Sequence, residues 1–507
     1  MADRQTELTP ILPAKTMSDR ERARRRWVTV EPVVALAVVG YISIGLIRPF
    51  YLKGRLGESM FNITKQEEFS RCQANNSDGG TMEDEIQSQA SLWILYLTTA
   101  MNIPIVVSSI TLGTVSDRLG RKLCLVIPVI GYICQETVYV LTVHYKLPLP
   151  VLFVGEFLQG VTGGFGLLFA GCLSYISDIS SENHRTMRIA VAEMLVFFVG
   201  GFVQVGAGYL LQDIGPIPPL AMALGFNVLC LIYITTPCIL IETVDRENVP
   251  EHRKGIKDAT RSVMNLFRFN ENGRRWQMLL LDLFLFFVML NINGVMSIFI
   301  LYGTAKPFCW SAVTAGLAGS FGFVTGSLGM VVGTKLFSFC LGEYFIMQIS
   351  CLSLLASNVV MSVAKTTLLI FVANGVGALR GMAVPIARSV LSKLVNPSEI
   401  GAAFAIVACM DNLSGFASSL MTPSIYAATV SYMSPAIFYV LSGLSFIPSG
   451  IVLILQIFWP RKKGYKLIED SGIYEDSLGD DLKQEPNTCS YVNNPEPKTD
   501  EKESMDF

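Results

Sequence analysis

The sequence predicts an all-α membrane protein of twelve transmembrane helices in two six-helix halves, with both termini in the cytoplasm. Three observations carry that prediction. Of 507 residues, 51% are hydrophobic and 16% charged, and the mean hydropathy is +0.47, a composition foreign to ordinary soluble domains. Twelve apolar runs recur with about the 20-residue length that crosses about 30 Å of hydrocarbon. Lys and Arg cluster in a few interhelical segments, so the net charge of −2 hides segregation along the chain. No single basic face is expected, and nucleic acid is not an expected partner.

The first six spans are expected near 32–49, 91–113, 123–143, 149–172, 189–211 and 219–241, and the second six near 277–301, 312–335, 345–364, 367–391, 401–424 and 435–458. The polar segment 242–276 separates them as a cytoplasmic central loop. Segment 1–31 is a cytoplasmic head, 32–241 and 277–458 are the two bundles, and 459–507 is a polar, acidic cytoplasmic tail expected to be disordered. Orientation follows from Arg20, Arg22, Arg24, Arg25 and Arg26 before the first span, and from Arg246, Arg253, Lys254, Lys257, Arg261, Arg268, Arg274 and Arg275 in the central loop. A duplicated layout of this kind places a substrate site at the midplane between the halves. The first apolar run follows a long Arg-rich head and is too long for a signal-peptide core, so no cleavable signal is expected.

On the opposite side, the outer loop 50–90 is acidic around Glu83, Asp84 and Glu85 and holds two glycosylation sequons, Asn62-Ile63-Thr64 and Asn75-Asn76-Ser77. Most of the 11 cysteines fall inside spans, where a thiol behaves as a small apolar residue. Cys72 and Cys309 instead fall in outer loops, in the compartment where disulfides persist. The three histidines are all assigned to loops, and no Cys/His spacing suits a metal. No cofactor and no enzymatic chemistry are expected.

Between the second and third spans, Gly113-Thr114-Val115-Ser116-Asp117-Arg118-Leu119-Gly120-Arg121-Lys122 resembles the loop 2–3 signature of the major facilitator superfamily. Gly113 and Gly120 allow a tight reversal, and Asp117 and Arg121 can bond across helix ends and be remade when two bundles rock. Intramembrane charges cost a few kcal/mol unless they face a water-filled cavity or a partner, so Glu136, Glu156, Glu193, Asp282, Arg380, Arg388 and Asp411 are functional candidates. Arg380 and Asp411 both lie near the middle of their spans at about 1.5 Å per residue, placed so that they can pair. Glycines in the fourth span (Gly155, Gly160, Gly163, Gly164, Gly166) and the fifth (Gly200, Gly201, Gly206, Gly208) permit close helix contact.

Further pieces sharpen the resemblance: Val30-Glu31-Pro32, Met187-Arg188-Ile189-Ala190, Pro307-Phe308-Cys309-Trp310, Pro385-Ile386-Ala387-Arg388-Ser389-Val390-Leu391-Ser392-Lys393-Leu394-Val395 and Glu399-Ile400-Gly401. From about residue 30 to 460 the chain is similar to solute carrier family 46. The resemblance implies a twelve-helix symporter carrying organic anions with protons, with glycans on the first outer loop and an outer disulfide between Cys72 and Cys309. It assigns proton coupling to Glu193, substrate and proton handling to Arg388, and gating to Asp117 and Arg121. Departures from the family's folate-carrying member are Gly164 for an acid, Ile292 beside Asn293 for a histidine, and Glu156 for an arginine.

The residues called for the site are therefore Glu193 and Asp411 for proton coupling, Arg388 and Arg380 for substrate, and Gly113, Asp117, Gly120 and Arg121 for the gate. The expected partners are a small organic anion, protons and membrane lipid; the sequence does not fix an oligomeric state. The leading reading is a proton-coupled symporter of folate-like or other organic anions, placed in the plasma membrane. The alternatives are a family-46 carrier moving peptidoglycan fragments or conjugated anions out of an acidic lumen, and a non-transporting receptor of the same fold. Tyr465-Lys466-Leu467-Ile468 and the stretch from Glu7 to Leu12 have the form of endolysosomal sorting signals.

Overall fold

The computed structural model describes residues 29–62, 77–119, 121–179, 182–236, 240, 273–395 and 400–458. All its regular structure is helical: α1 (Glu31–Phe61), α2 (Ser77–Leu119), α3 (Leu123–His144), α4 (Leu152–Val161), α5 (Gly164–Ile179), α6 (Glu182–Asp213) and α7 (Ile217–Thr235), then α8 (Arg274–Thr304), α9 (Ala312–Ser338), α10 (Glu343–Val363), α11 (Thr367–Val376), α12 (Ala383–Leu394), α13 (Ile400–Met433) and α14 (Ala436–Phe458). In lipid every backbone N–H and C=O needs a partner within its own segment, which leaves helices as the solution for runs this apolar. Among the described residues, eleven segments are long and apolar enough to cross a membrane. The 34-residue α13 lies where the eleventh span is expected and packs along α2 and α8.

Two spans are interrupted. The fourth breaks between α4 and α5, where Gly163 (φ +94°) and Gly164 (φ +62°) adopt left-handed backbone that L side chains resist. The tenth breaks between α11 and α12, where Gly377–Met382 tighten into a 3-10 turn. Elsewhere the ends are capped locally: the Ser311 hydroxyl accepts from the Thr314 N–H at the start of α9, and Thr366 does the same for Leu369 at the start of α11.

Three apolar cores hold the helices. One draws on residues between Val30 and Leu240, a second on residues between Met278 and Leu455, and the third mixes both stretches around Tyr139, Tyr302, Tyr426 and Phe438. Large apolar side chains such as Phe202 (66% exposed) and Leu328 (59%) point outward, as a lipid-facing surface requires. The early and late helices meet along α6 with α9 and along α2 with α13.

Several sequence expectations need correction. α1 does not stop near residue 49 but runs through Pro49 to Phe61, and α2 begins at Ser77, so most of the outer loop 50–90 is helical. Of the histidines assigned to loops, His144 is the last residue of α3 and His184 lies in α6. Asn62 closes α1 in left-handed geometry (φ 55°) and is exposed, as a glycan acceptor must be. Asn75, Cys72, Gly120 and the two sorting-like stretches lie outside the described residues, as does the side chain of Asp117; the backbone of Gly113 and Asp117 continues α2.

The α6–α9 contact depends on missing side chains. A Cβ on Gly316 would stand 2.5 Å from the Gln204 carbonyl oxygen, and one on Gly208 would stand 2.7 Å from that of Ala312. Gly316→Val is therefore expected to force the helices apart and cost about 1–3 kcal/mol. A thermal midpoint lower by several degrees in detergent is the expected reading, and a wild-type midpoint would show that the seam opens freely.

Candidate functional site

A cavity of about 490 Å³ lies among the helices, and both interrupted spans contribute to it: Gly164, Phe165 and Gly166 from the fourth, Arg380 and Gly381 from the tenth. Interruptions at corresponding positions of two repeats mark binding sites in carriers, because the broken backbone faces a cavity and not lipid. Aromatic rings form much of the wall. Tyr41 stacks on Phe165 at 4.9 Å with 14° between planes, and Phe197 leans on Phe323 at 6.1 Å. Amides stand among them, including Asn102, whose Nδ2 donates to Ser419 across 3.1 Å.

Four charged side chains lie on or beside the wall that the tenth span contributes. Arg380 lines the cavity from the 3-10 turn, and among the described residues its guanidinium makes no hydrogen bond or ion pair. Asp411 also lines it, and its Oδ2 accepts from Arg388 Nη2 at 2.7 Å. The same guanidinium reaches Glu193 Oε1 on α6 with Nη1 at 3.4 Å. The path from the cavity thus runs through Asp411 and Arg388 to Glu193, and its last link joins helices that precede the central segment to helices that follow it. One guanidinium serves two carboxylates, so the trio carries one negative charge in excess unless a proton sits on one acid. Asp411 Oδ1 is buried with no hydrogen-bond partner.

The expected Arg380–Asp411 pair does not form: Asp411 is engaged by Arg388, about two turns further along in α12, and Arg380 is left facing the cavity. Three of the four predicted coupling and substrate residues are therefore joined directly, and the fourth lines the same cavity. Glu136 is buried in α3 and accepts from Asn227 of α7 at 2.6 Å, and Asp282 is buried with one oxygen unpartnered. Arg121 is described, but the Asp117 side chain is not, so their contact lies outside the described residues.

Sequence reasoning missed Arg48 altogether: the first span was ended at residue 49, which put Arg48 one residue from the span's end, where an arginine counts as interfacial, and it was left out of the intramembrane charges. Arg48 lines the cavity and donates from Nη2 to Glu156 Oε1 at 2.6 Å and from Nε to the Tyr139 hydroxyl at 2.9 Å. The signal available was the apolar stretch Phe50-Tyr51-Leu52 continuing the helix past Pro49. Lys53 and Glu83 were missed for the same reason. They pair in a buried position at the end where α1 and α8 finish; there Lys53 Nζ also donates to the Thr304 carbonyl at 2.9 Å, and Gln87 donates to its hydroxyl at 3.2 Å.

The family model of the Major Facilitator Superfamily matches residues 81–419. A lysosomal proton-coupled steroid conjugate and bile acid symporter of Gallus gallus is 30% identical over 436 residues, covering 84% of this chain and 94% of that protein. The proton-coupled folate transporter of Bos taurus is 29% identical over 429 residues, covering 84% and 92%. The chain belongs to solute carrier family 46 of the major facilitator superfamily. A peptide transporter crystallised with sulfate shares the fold at 13% identity and a TM-score of 0.62, covering 87% of this chain and 98% of that one, and the human organic anion transporter MFSD10 at 16% and 0.57, covering 84% and 98%. This family-46 chain is thus a multi-pass membrane protein of a transporter family, with relatives that are carriers and not enzymes.

The Glu193–Arg388–Asp411 trio makes a stability prediction for this family-46 member. Arg388→Ala leaves two carboxylates close together with no cation, which costs most where both are ionised and least where one is protonated. The thermal midpoint of the variant is expected to fall furthest below wild type at pH 7.5 and to approach it at pH 5. A deficit independent of pH would show that Arg388 acts through packing alone.

Proposed function

We propose that this chain is a proton-coupled symporter of organic anions that works by alternating access between two six-helix bundles, residues 32–241 and 277–458. The observation that carries the proposal is the cross-set bridge Arg388–Glu193, backed by a second acid, Asp411, that faces the cavity. A proton on Glu193 removes the charge that holds Arg388 across the seam, so loading a proton and freeing the two sets become one event. Arg380 supplies an unsatisfied cation at the cavity wall, the group an anion needs.

Two substrate classes are carried by the relatives: folate in one, steroid conjugates and bile acids in the other. The wall favours the second class here. Stacked Tyr41 and Phe165, together with Phe197 and Phe323, suit a large apolar body, and the single unsatisfied guanidinium suits one anionic group. An acidic lumen or an acidic outer face supplies the same gradient, so the reading holds for a lysosomal or a plasma membrane.

Reconstituted protein is expected to concentrate estrone sulfate down an inward proton gradient, each proton carried supplying about 1.4 kcal/mol, or about tenfold accumulation, per pH unit. Glu193→Gln should lower gradient-driven accumulation while exchange of labelled for unlabelled substrate survives. Arg380→Ala should weaken affinity by about tenfold or more with less effect on maximal rate. Uptake that stays fully acid-stimulated in Glu193→Gln would remove that residue from coupling.

We also propose that Asn62 and Asn75 carry glycans and that Cys72 bridges Cys309. Replacing both asparagines by Gln is expected to sharpen and lower the gel band of protein from animal cells. Maleimide should label Cys309 only after reduction, and an unchanged band or ready labelling would refute the outer placement of this loop.

A further inference from the structure

The Glu193 site leaves a second buried ion pair unused. Glu156 on α4 is fully buried, and Arg48 on α1 lines the cavity with a side chain 11% exposed. Three donors converge on the Glu156 carboxylate: Arg48 Nη2 at 2.6 Å and the Tyr139 hydroxyl at 2.5 Å on Oε1, and Gln135 Nε2 at 2.9 Å on Oε2. The titratable and charged groups around it are Arg48 and Tyr41 from α1 and Tyr132, Glu136 and Tyr139 from α3. α2, which also packs on α4, has no charged side chain between residues 86 and 116.

We propose that Arg48 is a second anion-binding group of the cavity and that Glu156 is its exchangeable internal counter-ion. As an anionic group of the substrate docks on Arg48, Glu156 gives up the guanidinium and takes a proton. The inference rests on the symport reading above and adds a binding and coupling site to it.

The charge count compels the exchange. Arg48 with Glu156 is neutral; Arg48, Glu156 and a docked anion together carry a net negative charge in a low-dielectric pocket, which is costly. One proton from the water of the acidic side, placed on Glu156, restores neutrality: the anion leaves solution with a proton and no charge is added to the site. The hydrogen bonds permit both forms. A hydroxyl can donate or accept, so Tyr139 donates to the carboxylate and accepts from the protonated carboxyl, while Gln135 keeps donating to Oε2. Arg48 sits on the opposite side of the central segment from Arg380, so an anion passing between them stays beside a cation supplied by each half in turn.

The test is the steepness of accumulation in proteoliposomes of the full chain, with the membrane potential clamped at zero by potassium and valinomycin and with estrone sulfate, whose charge does not titrate in this range, as the probe. Each proton carried with the anion raises the limiting ratio about tenfold per pH unit. Wild type, using Glu156 as well as the Glu193 site, is expected to reach about hundredfold per unit, and Glu156→Gln about tenfold. Arg48→Lys, which keeps the ion pair, should retain the wild-type steepness with weaker affinity. The charge-neutral pair Arg48→Gln with Glu156→Gln should also give about tenfold, and it keeps the measurement available if the lone guanidinium of the single variant unfolds the protein. Equal steepness in wild type and the Glu156 variants would make Arg48–Glu156 a static ion pair and overturn the inference while leaving symport intact. A wild type indifferent to the gradient would instead sink the symport reading itself.

Discussion

A single guanidinium shared by two carboxylates, at a depth where water is scarce, sets the terms for the rest of the molecule. Arg388 holds Asp411 at 2.7 Å on its own side and Glu193 at 3.4 Å across the seam. Neither acid can be removed or protonated without changing how firmly the early and late helices are joined. The glycine-lined contact between α6 and α9 lies on the same helix as Glu193, so the cross-set ion pair and the close helix contact are carried by one element.

The same constraint explains the other buried charges. At membrane depth an ion persists if it has a partner or a wet face. Arg48 has Glu156, and Lys53 has Glu83 and the carbonyl at the end of α8. Arg380 has neither, and it lies on the cavity wall, in the short turn that interrupts the tenth span. Among the described residues it has no partner there, and the proposed function has a negative charge supplied to it from outside, on a body that suits the surrounding aromatic rings.

What the sequence determined by itself is whatever depends on composition and period. Runs of apolar residues of membrane length fix the helices, Lys and Arg fix the expected orientation, and Glu193, Arg388 and Asp411 are conspicuous because charges in such runs are rare. Tertiary structure decided who faces whom. Arg380 and Asp411 line the same cavity, yet Asp411 pairs with Arg388, and that depends on helix rotation, which no linear reading contains. Arg48 was overlooked because a span ended at residue 49 puts it at the membrane edge, whereas the helix continues for as long as backbone hydrogen bonds and packing sustain it. The breaks in the fourth and tenth spans were visible only as glycines; that they open onto one cavity follows from packing, since the same glycines in a straight helix serve close contact alone.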